Sequence, residues 1–91
     1  MEFEWDPEKA ASNLEKHGVE FIEATTVFAD PLELTIIDPD HSENEDRFIS
    51  LGRSASETVL VISFTERENR IRIISARPAT PRERREYESG I

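Results

Sequence analysis

The side chains best suited to chemistry in this sequence are arginines, and all nine of them lie in its second half. An arginine keeps its charge and holds a phosphate through two parallel hydrogen bonds. Several arginines that converge from adjacent strands would bind a phosphodiester and the extra negative charge of its transition state. Six lie on or beside strand-like segments and three on the helix that follows: Arg47, Arg53, Arg67, Arg70, Arg72 and Arg77, then Arg82, Arg84 and Arg85.

Surface ion pairs explain the same arginines equally well on physical grounds alone. The possible partners are Glu66, Glu68, Glu83, Glu86 and Glu88. On the last helix, Arg82 and Arg84 each precede a glutamate by four residues, which is the spacing of helical ion pairs. We therefore assign most of that helix to ion pairing, and both explanations stay open for the strand arginines.

The charge of the chain is divided unevenly along its length. A net charge of −9 for the whole chain argues against nucleic-acid binding. Residues 1–46 hold 14 acidic residues against two lysines, a net of −12, whereas residues 47–91 hold nine arginines against six acidic residues, a net of +3. Either the acidic half keeps the protein soluble, or the protein has one basic surface and a separate acidic surface for a basic partner.

Other common site chemistries find little support in the sequence. Without cysteine, the chain has neither a disulfide nor a thiolate metal site. His17 ends a predicted helix, where an imidazole commonly contacts the last carbonyl groups. The acid-rich segment around His41 and Ser42 would allow a metal-binding loop, but it lacks the glycine and the ligand spacing of a calcium loop. We predict no metal and no cofactor.

The sequence contains no pattern typical of a membrane protein. Its longest apolar run, Val59–Ile62, is far shorter than the ~20 residues of a membrane helix. The first four residues include two glutamates, unlike the basic start of a signal peptide. We predict a cytoplasmic protein with one domain over residues 1–91, since this length suffices for one domain and not for two.

The first half of the chain predicts one strand and two helices. Phe3–Trp5 alternates like a short strand. Asp6 and Pro7 are typical of the N-cap and the first position of a helix, and Gly18 ends that helix. A second helix is predicted over residues 21–28, because its apolar residues have helical spacing, and it ends before Pro31.

The second half predicts a sheet and one last helix. Four segments have strand patterns: residues 32–36, residues 47–51 with Gly52 as the end of that strand, residues 59–65 and residues 71–76. Thr80 and Glu83 form a capping box that opens a short helix through Tyr87. The predicted order of elements is β-α-α-β-β-β-α. This order has three late strands, although four segments have strand patterns. The fold class is α+β, with an antiparallel meander and both early helices on one face.

Many short motifs in one order resemble the BrnT family over nearly the whole chain. They are Phe3-Glu4-Trp5-Asp6-Pro7, Lys9-Ala10-Ala11-Ser12-Asn13, Lys16-His17-Gly18-Val19, Ala24 to Phe28 with Asp30-Pro31, His41-Ser42 with Glu45-Asp46-Arg47, Leu51-Gly52-Arg53-Ser54, Phe64-Thr65-Glu66-Arg67, Arg72 to Arg77, Ala79-Thr80 and Glu83 to Tyr87. The resemblance implies a toxin of a type II toxin–antitoxin pair, with a RelE-like ribonuclease fold and a BrnA antitoxin as its partner.

The resemblance also implies an active surface on the sheet. Arg67 and Arg77 would grip the scissile phosphate, while Thr65 would hydrogen-bond the RNA backbone. The candidates for the general base are Glu66, Tyr87 and Glu83. The RNA-binding residues would be Arg47, Arg53 and Phe48, with the ring of Phe48 stacking on a base.

The spacing of Arg67 and Arg77 limits what the two can do together. A strand of six residues spans about 20 Å, so both cannot touch one phosphate along a flat hairpin. They would bind successive phosphates, or Arg77 would act with Arg47 while Arg67 anchors the flank. We expect the larger loss of activity from Arg67→Ala.

The sequence therefore leads to two hypotheses of different classes. In the first, the protein is a metal-independent endoribonuclease toxin that cleaves mRNA, inhibits translation and is neutralised by a BrnA-like antitoxin in a hetero-oligomer. Its nucleophile would be the 2′-hydroxyl group of the RNA. In the second, the protein is a non-catalytic module whose arginine-rich face binds a partner. The converging arginines favour the enzyme, and the lack of an obvious general base favours the module.

Overall fold

The computed structural model describes residues 1–40 and 46–90 of the chain. Its elements in chain order are β1 (Glu2–Glu4), α1 (Pro7–His17), α2 (Phe21–Thr25), a 3₁₀ turn (Thr26–Ala29), β2 (Leu34–Ile37), β3 (Arg47–Arg53), β4 (Val59–Arg67), β5 (Arg70–Pro78) and α3 (Pro81–Ser89). The predicted α+β class is confirmed, but the predicted order was one strand short, because all four late segments are strands. The suggested metal loop at His41 and Ser42 lies outside the described residues.

The five strands form one sheet in the order β1-β5-β4-β3-β2. The late strands β2 to β5 pair antiparallel with their neighbours, as the sequence predicts, and β1 joins β5 in parallel. The sheet therefore ends in β1 on one side and in β2 on the other. An irregularity between Ser63 and Phe64 shifts the register of β4 against β5.

Helix α1 begins and ends where the sequence predicts. The carboxylate of Asp6 accepts a hydrogen bond from the backbone N–H of Glu8, and Gly18 ends the helix in the left-handed region at φ 69°. In the middle of α1, the buried amide of Asn13 donates to the carbonyl of Ala76 at 2.8 Å and accepts from its N–H at 3.0 Å. Asn13 thus takes the place of a strand neighbour for β5 beyond the end of β1.

The second helix is shorter than predicted. Helix α2 ends at Thr25 and the chain tightens into the 3₁₀ turn, which packs against β3. Gly52 permits this contact, because a Cβ atom at this position would lie 2.7 Å from Val27 Cγ1. The strand continues through Gly52 to Arg53, so the prediction that Gly52 ends the strand was wrong. Gly52 has an ordinary strand conformation. The position needs glycine because any side chain there would collide with the 3₁₀ turn.

The hydrophobic core lies on one face of the sheet, under α1, α2 and the 3₁₀ turn. Its buried residues include Phe21, Val27, Leu60, Ile62, Phe64, Ile73 and Ala76. Phe64 is at its centre and contacts the rings of Phe28 at 4.9 Å and Phe48 at 5.5 Å between centroids. We call the opposite face the open face. Within the described ranges, no helix is long and apolar enough to cross a membrane.

Candidate functional site

The register of the strands places a row of polar residues across the open face. Arg47 of β3 pairs with Thr65 of β4, Thr65 pairs with Arg72 of β5, and Arg72 pairs with Glu4 of β1. Residues paired in this way project to the same side of a sheet. We call these four residues, Arg47, Thr65, Arg72 and Glu4, the basic row.

Thr65 is the unusual member of the basic row. Its side chain is only 1% exposed, and its hydroxyl oxygen is the buried side-chain atom that lacks a hydrogen-bond partner in the described part of the chain. Leaving a buried hydroxyl unpaired costs about 1–3 kcal/mol. The strand neighbours of Thr65 on both sides are arginines, which attract anions, so this part of the sheet is suited to binding an anion.

The two arginines of the basic row differ in their partners. Arg72 donates to the carboxylate of Glu4 at 2.9 Å, and both side chains are about one-third exposed. Nearby, Arg70 lies 3.4 Å from Glu2. Arg47 is half-buried and makes no ion pair with any described residue. Among the described residues, no carboxylate therefore competes with a phosphate for its guanidinium group.

Arg67 and Arg77 lie at opposite ends of the β4–β5 hairpin. Arg67 is exposed and pairs with Arg70 next to the turn, whereas Arg77 pairs with Val61. Arg70 and Arg77 are seven residues apart along β5, which corresponds to roughly 20 Å. The expectation that Arg67 and Arg77 cannot hold one phosphate together agrees with this placement. Arg67 lies two residues beyond Thr65 and is the nearer of the two to the basic row.

Arg77 is held by an acidic partner. Its guanidinium group donates to both carboxylate oxygens of Glu83, at 2.7 and 2.9 Å. These hydrogen bonds, opposed by burial, lower the pKa of Glu83 to about 2 and raise the pKa of Arg77. Glu83 also accepts from the backbone N–H of Thr80 in the capping box predicted from the sequence. Arg77 thus joins β5 to α3.

Tyr87 anchors the same helix at its other end. Its buried hydroxyl group donates to Asp30 at 2.5 Å, and the guanidinium carbon of Arg53 lies 5.6 Å from the centre of its ring. Burial and the hydrogen bond to Asp30 raise the pKa of Tyr87, and Arg53 opposes them only in part. For Asp30, burial raises the pKa, but the hydrogen bonds from Tyr87 and from the backbone of Arg53 and Leu32 outweigh it, so the net pKa is lowered.

Two predicted site residues project away from the basic row. Phe48 pairs with Phe64 and stacks on it on the core side of the sheet, so its ring is not beside Arg47. In this placement the ring of Phe48 does not offer a stacking surface beside Arg47. Glu66 is exposed and pairs with the core residue Ile71, so its carboxylate leaves the sheet on the side opposite to Thr65.

The sequence prediction did not assign Arg72 and Glu4 to the site. The alternation of side chains along β5 was visible, but the irregularity between Ser63 and Phe64 shifts which residue of β5 faces Thr65. The pairing of Glu4 with Arg72 joins residues 68 positions apart and has no local signal. The described residues contain no group of three or more potential metal ligands among His, Cys, Asp and Glu.

A solved structure shares this fold. The chain matches the crystal structure of the Brucella abortus ribonuclease toxin BrnT with a TM-score of 0.65, over 88% of this chain and 97% of that one, at 20% sequence identity. The fold is thus that of a small ribonuclease toxin. A search of curated proteins gave no match.

The family itself is shown by the sequence. Residues 5–83 match the family described as "Ribonuclease toxin, BrnT, of type II toxin-antitoxin system". The chain belongs to the BrnT family, which confirms the resemblance, and toxins of this type have an antitoxin as their partner.

Proposed function

We propose that this protein cleaves RNA on its open face and that the basic row holds the scissile phosphate. The observation that carries the proposal is the buried, unpartnered hydroxyl group of Thr65 between Arg47 and Arg72. A phosphate oxygen would accept its hydrogen bond, while the two guanidinium groups would bind the other oxygens. Membership of a ribonuclease toxin family supports RNA as the ligand.

In the proposed reaction, the 2′-hydroxyl group of the RNA attacks the adjacent phosphorus atom. The bond to the 5′-oxygen of the next nucleotide breaks, the 2′-hydroxyl proton passes to solvent and the 5′-oxygen takes a proton from solvent, so the products are a 2′,3′-cyclic phosphate and a free 5′-hydroxyl group. Arg47 and Arg72 stabilise the extra negative charge on the phosphorane oxygens, an effect typically worth about 2–4 kcal/mol for one donor. The proposed chemistry needs no metal, because the charge is neutralised by guanidinium groups.

The three candidates for the general base differ in their ability to accept a proton and in their position. A carboxylate with a pKa of about 2, such as Glu83, is a weak proton acceptor, and Arg77 already occupies both of its oxygens. Tyr87 keeps its proton because its pKa is raised and its hydroxyl group donates to Asp30. Glu66 points to the other side of the sheet. The proposal therefore assigns catalysis mainly to charge stabilisation and positioning.

The outer arginines have different roles in this proposal. Arg67, two residues from Thr65, binds a neighbouring phosphate of the RNA. Arg77 and Arg53 position α3 and do not touch the scissile group. The biological role proposed is cleavage of mRNA in the cytoplasm, inhibition of translation and growth, and neutralisation by a BrnA-like antitoxin in a hetero-oligomer.

A single substitution tests the site. We expect Arg47→Ala to slow single-turnover cleavage of a labelled single-stranded RNA by about 30- to 1,000-fold, because it removes one donor to the transition state. The matched control is Arg84→Ala, which removes an exposed arginine of α3 and should leave the rate within about twofold. Circular dichroism checks that both variants fold.

Two results would contradict the proposal. Equal rates for the Arg47 and Arg84 variants would remove the basic row from the mechanism. The second result is that the wild-type chain binds RNA, Arg47→Ala weakens this binding, and the RNA is never cleaved. This outcome would support the non-catalytic binding module.

A further inference from the structure

The strand β2 is an edge strand with an unusual amount of exposed apolar surface. It is the last strand of the sheet, so one side of its backbone has no strand neighbour among residues 1–40 and 46–90. Ile36 and Ile37 are each 60% exposed, and Leu32 just before the strand is exposed as well. Proteins normally protect such an edge with charged residues, proline or a covering segment. An open apolar edge therefore indicates a strand-like binding partner.

An apolar groove adjoins this edge on the open face. It has a volume of about 200 Å³, and its floor consists of Leu34 and Ile36 of β2, Ile49 and Leu51 of β3 and Val61 of β4. Glu83 and Glu86 of α3 form a wall of the groove, together with Arg77 of β5. A segment added beside β2 would place alternate side chains over this floor, since successive residues of a strand point to opposite faces.

The charges around the groove select the kind of partner. Its charged lining consists of Glu83, Glu86 and Arg77, one arginine against two glutamates and so a net charge of −1, and the arginine is already paired with Glu83. RNA would be repelled from such a surface, and its phosphates gain nothing from an apolar floor. A protein segment with alternating apolar residues and flanking lysine or arginine residues fits both features.

We propose that the antitoxin binds here, as an extended segment added to β2 with its apolar side chains in the groove. The chain belongs to a type II toxin family, so an antitoxin is a partner that the protein must bind on some part of its surface. This inference rests on the proposed function, because it names the partner that blocks the same open face.

The position of the groove explains how such a segment would inhibit. Ile49 in its floor and Arg47 in the basic row belong to the same strand and face, two residues apart. Two residues of a strand span about 7 Å. A segment in the groove therefore excludes an RNA strand from one side of Arg47 without touching the arginine.

Two isoleucines provide a matched experiment. Ile36 in the groove and Ile22 on α2 are 60% and 61% exposed, so aspartate at either position costs the fold little buried surface. The probe is the antitoxin of this toxin's own pair, purified and titrated onto the wild-type chain, Ile36→Asp and Ile22→Asp. We expect Ile36→Asp to weaken binding by at least about 30-fold, as for a central interface residue, and Ile22→Asp to change it by less than about threefold.

A second measurement separates this inference from the proposed function. Ile36→Asp should cleave RNA at the wild-type rate and resist inhibition by antitoxin concentrations that silence the wild-type chain. If the wild-type chain never cleaves RNA but antitoxin binding still depends on Ile36, the proposed function fails and the docking surface stands. If cleavage is normal and Ile36→Asp is bound and inhibited like the wild type, the docking surface is wrong.

Two further results decide the remaining alternatives. Ile36→Thr keeps a residue that favours strand structure at the edge. It should weaken antitoxin binding by a factor between those of the wild type and Ile36→Asp, and this test holds even if the aspartate variant folds poorly. Sedimentation of the toxin alone tests a second copy of the chain as the occupant. A wild-type dimer that Ile36→Asp converts to a monomer, with antitoxin affinity unchanged, would overturn the proposal.

Discussion

A buried hydroxyl group without a hydrogen-bond partner destabilises a folded protein, and Thr65 carries such a group in the centre of its sheet. Binding sites often retain unfavourable groups of this kind, because the ligand supplies the missing partner. The adjacent residues of the basic row, Arg47 and Arg72, fit an anionic ligand. Stability and RNA binding should therefore respond in opposite directions to a change at this position.

Thr65→Val tests this opposition, because valine has nearly the shape of threonine and no hydroxyl group. We expect the free energy of unfolding to rise by about 1 kcal/mol, since the unpaired polar atom is removed. RNA affinity should fall at the same time by about fivefold, the usual value of one lost hydrogen bond. Urea denaturation and a fluorescence titration measure the two effects. A destabilised variant would mean that the hydroxyl group has a partner in solution.

Glu4 offers a second test at the same scale. Its carboxylate accepts a hydrogen bond from Arg72, so an incoming phosphate must compete with Glu4 for this arginine. Glu4→Gln removes this charge and should strengthen RNA binding several-fold, because Arg72 becomes available and one repulsive charge is lost. Glu8→Gln, an exposed change on α1, is the control for net charge. Weaker binding by the Glu4 variant alone would show that the ion pair positions Arg72 for its ligand.

At this scale the sequence could name candidate residues but could not arrange them in space. Arginine chemistry led to Arg47 and to the strand that carries Arg72. Successive residues of a strand point to opposite faces, so Arg47 and Phe48 cannot lie on the same face. The sequence alone was enough to show this. The partner of Arg72 is different, since Glu4 lies 68 residues away and only the sheet order brings the two together.

At the scale of elements, α3 depends on ion pairs and hydrogen bonds more than on apolar packing. Only Tyr87 of this helix is buried. Arg77 and Glu83 fix its first turn, while the hydrogen bond from Tyr87 to Asp30 fixes its last turn. The capping box at Thr80 was predictable because its signal is local. The role of Arg77 was not, because an arginine at the end of a strand fits phosphate binding and ion pairing equally well.

The depressed pKa of Glu83 predicts how the attachment of α3 responds to pH. Its folded pKa of about 2 lies below the ordinary value of about 4.3 in an unfolded chain. The carboxylate therefore contributes its full stabilisation above about pH 5, and this contribution disappears as the pH falls towards 2. Glu83→Gln should cost on the order of 1–2 kcal/mol at pH 7, after allowance for solvent screening.

Denaturation of the wild type and the Glu83→Gln variant at several pH values measures this contribution. The difference between their free energies of unfolding should shrink as the pH falls from 5 to 3. Glu88→Gln, an exposed change on the same helix, should show no such trend. A difference that stays constant with pH would mean that the pair with Arg77 adds nothing beyond a neutral hydrogen bond.

At the scale of the whole molecule, the acidic and basic halves of the sequence are less separate than their order suggests. One interpretation of the sequence was a basic surface with a separate acidic surface for a basic partner. The structure instead places β1 against β5, with Glu2 near Arg70 and Glu4 on Arg72. Acidic residues of the first half therefore border the basic row directly. This arrangement limits the number of free cations that an RNA strand meets on the open face.

The salt dependence of RNA binding follows from this limit. Arg47 and Arg72 share the scissile phosphate and Arg67 contacts a neighbouring one, so two phosphates are neutralised and the slope of log affinity against log salt for a single strand should be about −1.4. Arg47→Ala should reduce its magnitude by about 0.7, whereas Arg84→Ala should leave it unchanged.

The net charge of −9 adds a second feature at low salt. Below roughly 0.03 M salt, the Debye length approaches 20 Å, so the RNA also senses the acidic residues around the site, and the affinity should stop rising. Fluorescence anisotropy of a labelled oligonucleotide between about 0.02 and 0.5 M salt measures both regions of the curve. A steep slope that Arg47→Ala leaves unchanged would place the RNA elsewhere. A flat slope at all concentrations would mean that Glu2 and Glu4 already neutralise the site, and that binding, if any, is not electrostatic.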